Sequence, residues 1–173
     1  MHGFINLLKR RNIMIRPYTL GMFEHGAKND PTVIADIEAG TINGYIHTIG
    51  SDGKADAPVL GTNATTGKQT ADLYVAINDL SGDARYTDAL IAKGDTLNSY
   101  LLRAWDTQKV IVDEDSLTTA YEDITAGTTV LYADTDGKLN TNANPTYFAI
   151  GFKALEKIDF GGKDAIVAQI VVS

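Results

Sequence analysis

Several stretches of this 173-residue chain carry residue types that could do chemistry. Residues 61–70, GTNATTGKQT, resemble a phosphate-binding loop. Such a loop needs four residues between its glycines and Ser or Thr directly after its lysine. Here five residues separate Gly61 from Gly67, and Gln69 follows Lys68. We therefore expect no nucleotide site in this stretch.

A second stretch, residues 134–137, resembles part of a calcium-binding loop. Aligning Gly137 with the invariant glycine of that loop places Tyr132 at the first ligand position and Ala143 at the last. Two essential carboxylate ligands are then missing, so we expect a hairpin turn instead. The acidic run at residues 113–115 is interpreted as a solvated turn and not as a metal site.

The remaining candidates for catalysis lack the spacing that catalysis needs. The three histidines, His2, His25 and His47, lie far apart and form no zinc-protease pattern. No Gly-x-Ser-x-Gly sequence is present, and without cysteine there is no disulfide or thiolate metal site. We predict a protein that is not an enzyme, with no catalytic residue, no metal and no cofactor.

The elements that position these residues begin with a repeated turn. An isoleucine, two further residues, a glycine and a polar residue recur three times, at residues 37–41, 91–95 and 124–128. The first and third copies are followed by a strand-like run and then by Asp-Gly-Lys, at residues 52–54 and 136–138. The pattern predicts a buried isoleucine, a glycine at positive φ and a strand closed by a two-residue Asp-Gly turn.

Short apolar runs separated by turn residues every ~8–12 positions are typical of a β-sandwich or β-barrel. We predict a mostly β fold, a compact barrel or sandwich with an extended N-terminal arm and little helix. Residues 86–93 also fit a short helix, but aromatic and β-branched content favours strands beyond them. The predicted strands are residues 41–49, 73–77, 99–105 paired in a hairpin with 109–112, 147–152, 154–158 and 165–172.

Charge divides the chain into two parts. Residues 1–28 hold five basic residues against one acidic residue, whereas the rest holds ten basic against twenty-one acidic. We therefore predict an N-terminal arm at 1–28 and a β-rich body at 29–173, either undivided or split into subdomains 29–115 and 116–173. An alternative is that the first residues are a leader preceding a start at Met14.

The arm is predicted to bind a partner protein. Its apolar residues have the spacing of one helical face, and the basic residues that follow would be attracted to an acidic surface. The acidic body argues against nucleic acid as a partner, and no apolar run approaches the ~20 residues of a membrane helix. The predicted partner-binding residues are Phe4, Leu7, Leu8, Lys9, Arg10, Arg11 and Arg16.

The C-terminal ~50 residues resemble the closing module of tailed-phage capsid decoration (cement) proteins. The resemblance rests on a glycine turn and strand at 126–128, an Asp-Gly turn at 136–138, the strand IGFKALE at 150–156, and a Gly-Gly hairpin at 161–162. Residues 73–95 resemble phage head proteins more loosely. The arm lies outside the resemblance.

The resemblance implies a non-enzymatic structural protein that binds the outside of a phage capsid shell and stabilises it against internal pressure. Its partner would be the major capsid protein, with assembly in the host cytoplasm and location on the virion surface. It also implies a homo-oligomer, with a trimer as one form. The alternatives are a tail-tube or head-fibre component and a carbohydrate-binding β module, which would need exposed aromatic side chains.

Overall fold

The computed structural model describes residues 15–18, 29–35, 41–42, 44–56, 72–77, 90–91, 94–134, 136–141 and 149–173. Within these ranges the chain is mostly β-strand, and its helical content is confined to short 3-10 turns. The predicted compact, mostly β fold with little helix is confirmed. Most of the predicted arm lies outside the described residues.

The strands are short apart from the last two. They are numbered in chain order: β1 (Ile15–Pro17), β2 (Asn29–Ala35), β3 (Thr41–Ile42), β4 (Ile46–Ile49), β5 (Lys54–Asp56), β6 (Tyr74–Ala76), β7 (Leu90–Ile91), β8 (Thr96–Leu101), β9 (Lys109–Asp113), β10 (Val130–Ala133), β11 (Leu139–Asn140), β12 (Ile150–Phe160) and β13 (Lys163–Val172). Three 3-10 turns lie at Leu102–Trp105, Glu114–Ser116 and Tyr121–Asp123.

A six-stranded sheet in the order β1-β9-β13-β12-β10-β11 forms around the C-terminal hairpin. β12 and β13 are joined by Gly161 and Gly162, with φ of 65° and 82°. Two successive residues at positive φ are the requirement of a type I′ turn, whose twist matches that of paired strands. One bulge, at Leu155, interrupts the register between Ala154 and Glu156.

Five other strands pair in a closed ring, in the order β2-β5-β4-β6-β8. The β2–β5 contact is parallel and the other contacts are antiparallel. β3 and β7 form a separate two-stranded pair. A ring leaves few unpaired edges, so its backbone is satisfied mainly by neighbouring strands.

The ring and the sheet share the main core, and the ring holds a second, smaller cluster of Tyr45, Ala55, Ala76 and Leu97. The largest buried side chains include Trp105 and Phe152, which lie in the main core with Ile46 and Val75 from the ring. β9 lies in the predicted subdomain 29–115, and it pairs with β13, which lies in the predicted subdomain 116–173. The predicted subdomains 29–115 and 116–173 therefore contribute strands to one common sheet.

The predicted hairpin between residues 99–105 and 109–112 is wrong. β8 pairs with β2 and β6 in the ring, while β9 pairs with β1 and β13 in the sheet. The 3-10 turn Leu102–Trp105 lies between β8 and β9. Its Leu102 is fully buried and its Trp105 is 1% exposed. Burying these two large side chains redirects the chain from one structure into the other.

The two Asp-Gly-Lys segments form loops with the same hydrogen bonds. In residues 50–54, Gly53 N–H donates to Gly50 O (3.0 Å) and Gly50 N–H to Lys54 O (2.8 Å). The corresponding distances in residues 134–138 are 2.9 and 2.7 Å. In each loop the aspartate Oδ1 also accepts from the lysine N–H, at 3.2 and 3.0 Å.

These are three-residue loops, each with its glycine at positive φ (Gly53 at 77°, Gly137 at 74°). This is the type I turn followed by a bulge, not the two-residue turn that the sequence predicted. The hairpin expected at residues 134–137 is confirmed. In each loop the aspartate accepts from the N–H two residues further on, the local hydrogen bond that favours aspartate in turns.

The repeated isoleucine turn is confirmed where the structure describes it. Ile124 is 2% exposed, and Gly94 and Gly127 have φ of 92° and 81°. Ile37 and Gly40 of the first copy lie outside the described residues. Ile91 belongs to β7, and its side chain is likewise outside the description.

Candidate interaction surface

The N-terminal arm meets the body at β1. Ile15 is fully buried and lies opposite Val112, and Tyr18 N–H donates to Lys109 O at 3.0 Å. Although it lies within the predicted arm at 1–28, β1 is therefore part of the sheet of the body. The reason is physical: Ile15 enters the main core, which stabilises the strand by about 1.5–3 kcal/mol.

The residues predicted to bind a partner are placed only in part. Arg16 lies in β1 with its backbone opposite Ile111. Phe4, Leu7, Leu8, Lys9, Arg10 and Arg11 lie outside the described residues, and their predicted role stays a prediction.

The chain enters β1 at the acidic end of β9. Because β1 and β9 are antiparallel and Ile15 faces Val112, the start of β1 lies beside the segment Asp113, Glu114 and Asp115.

The acidic run is more structured than the sequence predicted. Asp113 is 1% exposed, and its Oδ1 accepts hydrogen bonds from Ser116 N–H (3.0 Å) and Ser116 Oγ (2.8 Å). It therefore caps the 3-10 turn Glu114–Ser116. Asp115 pairs with Lys163 Nζ at 2.6 Å, which raises the pKa of that lysine. Of the three, Asp113 is buried, Asp115 is half-buried and Glu114 is exposed.

Further carboxylates at this end of the sheet lie near Tyr121. Burial raises the pKa of its phenol, and the negative charges of Asp164, Asp159 and Glu114 raise it further. Lys157 Nζ lies 4.5 Å from the centre of the Tyr121 ring. The end of the sheet therefore presents mainly acidic groups interrupted by two lysines, Lys157 and Lys163.

The outer half of β12 has an open edge among the described residues. β10 pairs with Lys153 and Phe152, and Thr129 O accepts from Ala154 N–H. Beyond the bulge at Leu155, no described strand lies beside β12 on that side. Sequence reasoning missed this edge, although the alternating charges of residues 156–159 indicate a solvent-exposed strand.

A buried histidine–serine pair lies inside the ring. His47 Nε2 is 3.1 Å from Ser99 Oγ, and its Nδ1 is 3.2 Å from Thr48 O. Since a carbonyl only accepts, Nδ1 carries the proton and Nε2 accepts from the hydroxyl. Tyr45 and Tyr74 stack on either side, at centroid distances of 6.4 and 5.9 Å.

This pair has the residue types of a nucleophile and its base, but both side chains are fully buried. A catalytic serine must reach a substrate carbonyl, so the pair is structural. Burial lowers the pKa of His47 to about 4, and the imidazole is neutral at physiological pH. Nothing in the sequence linked two residues 52 positions apart.

Aromatic side chains at the described surface are few. Trp105 is 1% exposed and packs against Tyr100 at 5.7 Å. A sugar-binding platform needs an exposed aromatic face, so the single tryptophan cannot form one. Tyr18 is 50% exposed, with Lys109 Nζ 5.8 Å from its ring centre.

The described residues contain no group of three or more histidine or acidic side chains arranged to hold a metal ion. Among the same residues, no helix is long and apolar enough to cross a membrane. No protein-family model matches the chain, and no curated protein matches it significantly.

Proposed function

We propose that this chain is a structural virion protein that binds the outside of a phage capsid shell and stabilises it. The proposal rests on the resemblance of the C-terminal ~50 residues to capsid decoration proteins, together with the turns and strands that these residues form. Its turns at Gly127, Asp136-Gly137 and Gly161-Gly162 bound the strands β10 to β13. The partner is the major capsid protein, the location is the virion surface, and the chain acts without a cofactor as a homo-oligomer, for which the trimer is one form.

The connection between arm and body supports this role mechanically. β1 is hydrogen-bonded along β9, and β9 is hydrogen-bonded along β13. A load on the arm would therefore pass into the longest hairpin of the sheet through two consecutive strand pairs. An anchored arm on a well-packed body is what clamping neighbouring shell subunits requires.

The surface charge supports a protein partner. The body carries a large excess of acidic residues over basic ones, and phosphate would be repelled by it. The buried position of Trp105 weakens the alternative of a carbohydrate-binding module. A tail-tube or head-fibre component remains the second structural assignment, with the same fold and a different partner.

The test mixes the purified protein with undecorated shells assembled from the major capsid protein of the same genome. We expect co-sedimentation at a fixed stoichiometry, density on the outer surface in negative-stain images, and a higher temperature of shell disruption. Absence of saturable binding to those shells would overturn the proposal. Binding to purified tail tubes instead would favour the second assignment.

A deletion of residues 1–14 tests the arm while keeping β1. We expect a body with nearly unchanged thermal unfolding and a much lower occupancy on the shell. Deletion of 1–28 is not equivalent, because it removes Ile15 from the core. A triple variant, Phe4→Ser, Leu7→Ser and Leu8→Ser, should reproduce the binding loss, with Tyr18→Ser as the matched control outside the predicted apolar face.

A further inference from the structure

We propose that two copies of this chain associate through the open edge of β12, pairing residues 156–160 of one copy antiparallel with the same residues of the other. This inference goes beyond capsid binding and does not depend on it. Exposed sheet edges pair readily with another strand. The occupant is a second copy because the edge is complementary to itself.

The hydrogen-bonding direction follows from the register of the hairpin. Phe160 and Lys163 flank the two-residue turn, and Ile158 lies opposite Ala165. In an antiparallel pair, bonded residues alternate along the strand. Phe160 and Ile158 therefore direct their N–H and C=O groups toward β13, while Lys157 and Asp159 direct theirs toward the open edge.

The charges of this edge match when it is paired with itself about Ile158. Antiparallel pairing centred there places Lys157 opposite Asp159 of the second copy, and Asp159 opposite its Lys157. Both pairs are hydrogen-bonded pairs, so each residue exchanges its N–H and C=O with an oppositely charged partner. Opposite charges directly across strands are favourable, and like charges are unfavourable.

Lys157 Nζ donates to Glu122 O at 3.4 Å and lies 4.5 Å from the Tyr121 ring centre, so the pairing requires its ammonium group to turn from these exposed contacts to Asp159 of the second copy. Glu156, Lys157 and Asp159 are exposed, and Ile158 is half-buried on the opposite face from Lys157. Asp159 uses Oδ1 to accept from Gly162 N–H at 3.0 Å, which leaves its second oxygen for a lysine. The bulge at Leu155 ends the β10 pairing just before this segment.

The contact is small, so we expect a weak, concentration-dependent dimer. Sedimentation analysis of the full chain over a wide concentration range should show a monomer–dimer equilibrium. Lys157→Asp should raise the dissociation constant of the dimer about tenfold or more. In the variant a carboxylate at position 157 of each copy would lie opposite Asp159 of the other copy, and like charges across strands are unfavourable. Asp159→Lys should weaken the dimer similarly.

The exchanged double variant, Lys157→Asp with Asp159→Lys, restores opposite charges and should recover most of the dimer. Lys109→Asp is the matched control, since it makes the same charge change on another exposed strand of the sheet. If the double variant is no better than the single variants, or if Lys109→Asp weakens the dimer equally, the proposed pairing is overturned.

Amide hydrogen exchange gives a second readout that does not require a variant. The N–H groups of Lys157 and Asp159 should become protected as protein concentration rises, while those of Ile158 and Phe160 are protected at every concentration. Equal exchange of Lys157 and Asp159 at all concentrations would overturn the proposal. So would protection that arises only when capsid shells are added, because the edge would then accept a strand of the capsid protein.

Discussion

Two loops of this chain, residues 50–54 and 134–138, have the same hydrogen bonds but different surroundings. A Cβ placed on Gly53 would meet no atom within 4 Å, whereas one on Gly137 would overlap the ring of Tyr45. Gly137 O also accepts from Ile46 N–H at 3.4 Å. The local sequence determines the form of the loop, and the fold determines how much each residue in it matters.

The largest effect is expected for Gly137→Ala. The substitution combines a positive φ with a steric overlap against a buried ring, at a cost of about 4 kcal/mol in the free energy of unfolding. Urea denaturation of the variant and the wild type measures it. Adding Tyr45→Leu should recover part of the loss, and strictly additive costs in this double-mutant cycle would contradict the contact.

Acid should distinguish the two hairpins, because β4 carries the buried His47 and the β10–β11 hairpin has no histidine. In the unfolded chain the imidazole takes up a proton below its usual pKa of 6.5, and in the folded protein only below about 4. The unfolded state therefore binds more protons in this window, and stability falls as pH is lowered from 6.5 to about 4.

The contribution lost across that window is about 3 kcal/mol. The measurement is the stability difference between wild type and His47→Gln as a function of pH, which cancels the carboxylates common to both. Proton NMR of the imidazoles provides the second readout. Titration of His47 near pH 6.5 in the folded protein would contradict its burial between Tyr45 and Tyr74.

A smaller effect is expected for Gly53→Ala, about 1 kcal/mol, from its positive φ alone. Because both loops have the same backbone hydrogen bonds, the difference between this cost and that of Gly137→Ala measures the contribution of the contact with Tyr45. Equal costs for the two substitutions would show that contact with Tyr45 adds nothing. Thermal unfolding of both variants under one condition is sufficient.

The smallest effects are expected for Asp52→Ala and Asp136→Ala. Each removes an exposed hydrogen bond to a lysine N–H, and Asp52→Ala also removes the exposed ion pair with Lys54 Nζ at 3.6 Å. The cost of each is below about 1 kcal/mol. They should differ in a second readout, because burial raises the pKa of Tyr45 and the charge of Asp136 raises it further. Only Asp136→Ala should lower that pKa, which absorbance titration of the tyrosines would detect.

Local patterns were predicted well from the sequence where the cause was local. The glycine turns at Gly94 and Gly127, the hairpin at 134–137 and the Gly-Gly turn between β12 and β13 all follow from the need for positive φ. The strand composition was sufficient for the fold class. In each case the responsible residues are within a few positions of one another.

Long-range contacts were not predicted, because no periodicity encodes a partner strand. β8 and β9 have the composition of a hairpin, yet they belong to different structures, since Trp105 is buried between them. The His47–Ser99 pair and the attachment of β1 to β9 likewise join distant segments. The open edge of β12 could be recognised only once the end of β10 was known.

The strand order β1-β9-β13 has a consequence for how the chain is made. β1 precedes β9 along the chain, and β9 precedes β13. β9 therefore stays without its central neighbour until β13 has been synthesised, and non-local pairing of this kind slows folding. A chain that ends before β13 leaves the edges of β9 and β12 unpaired and is prone to aggregation, so the sheet forms only once β13 is present.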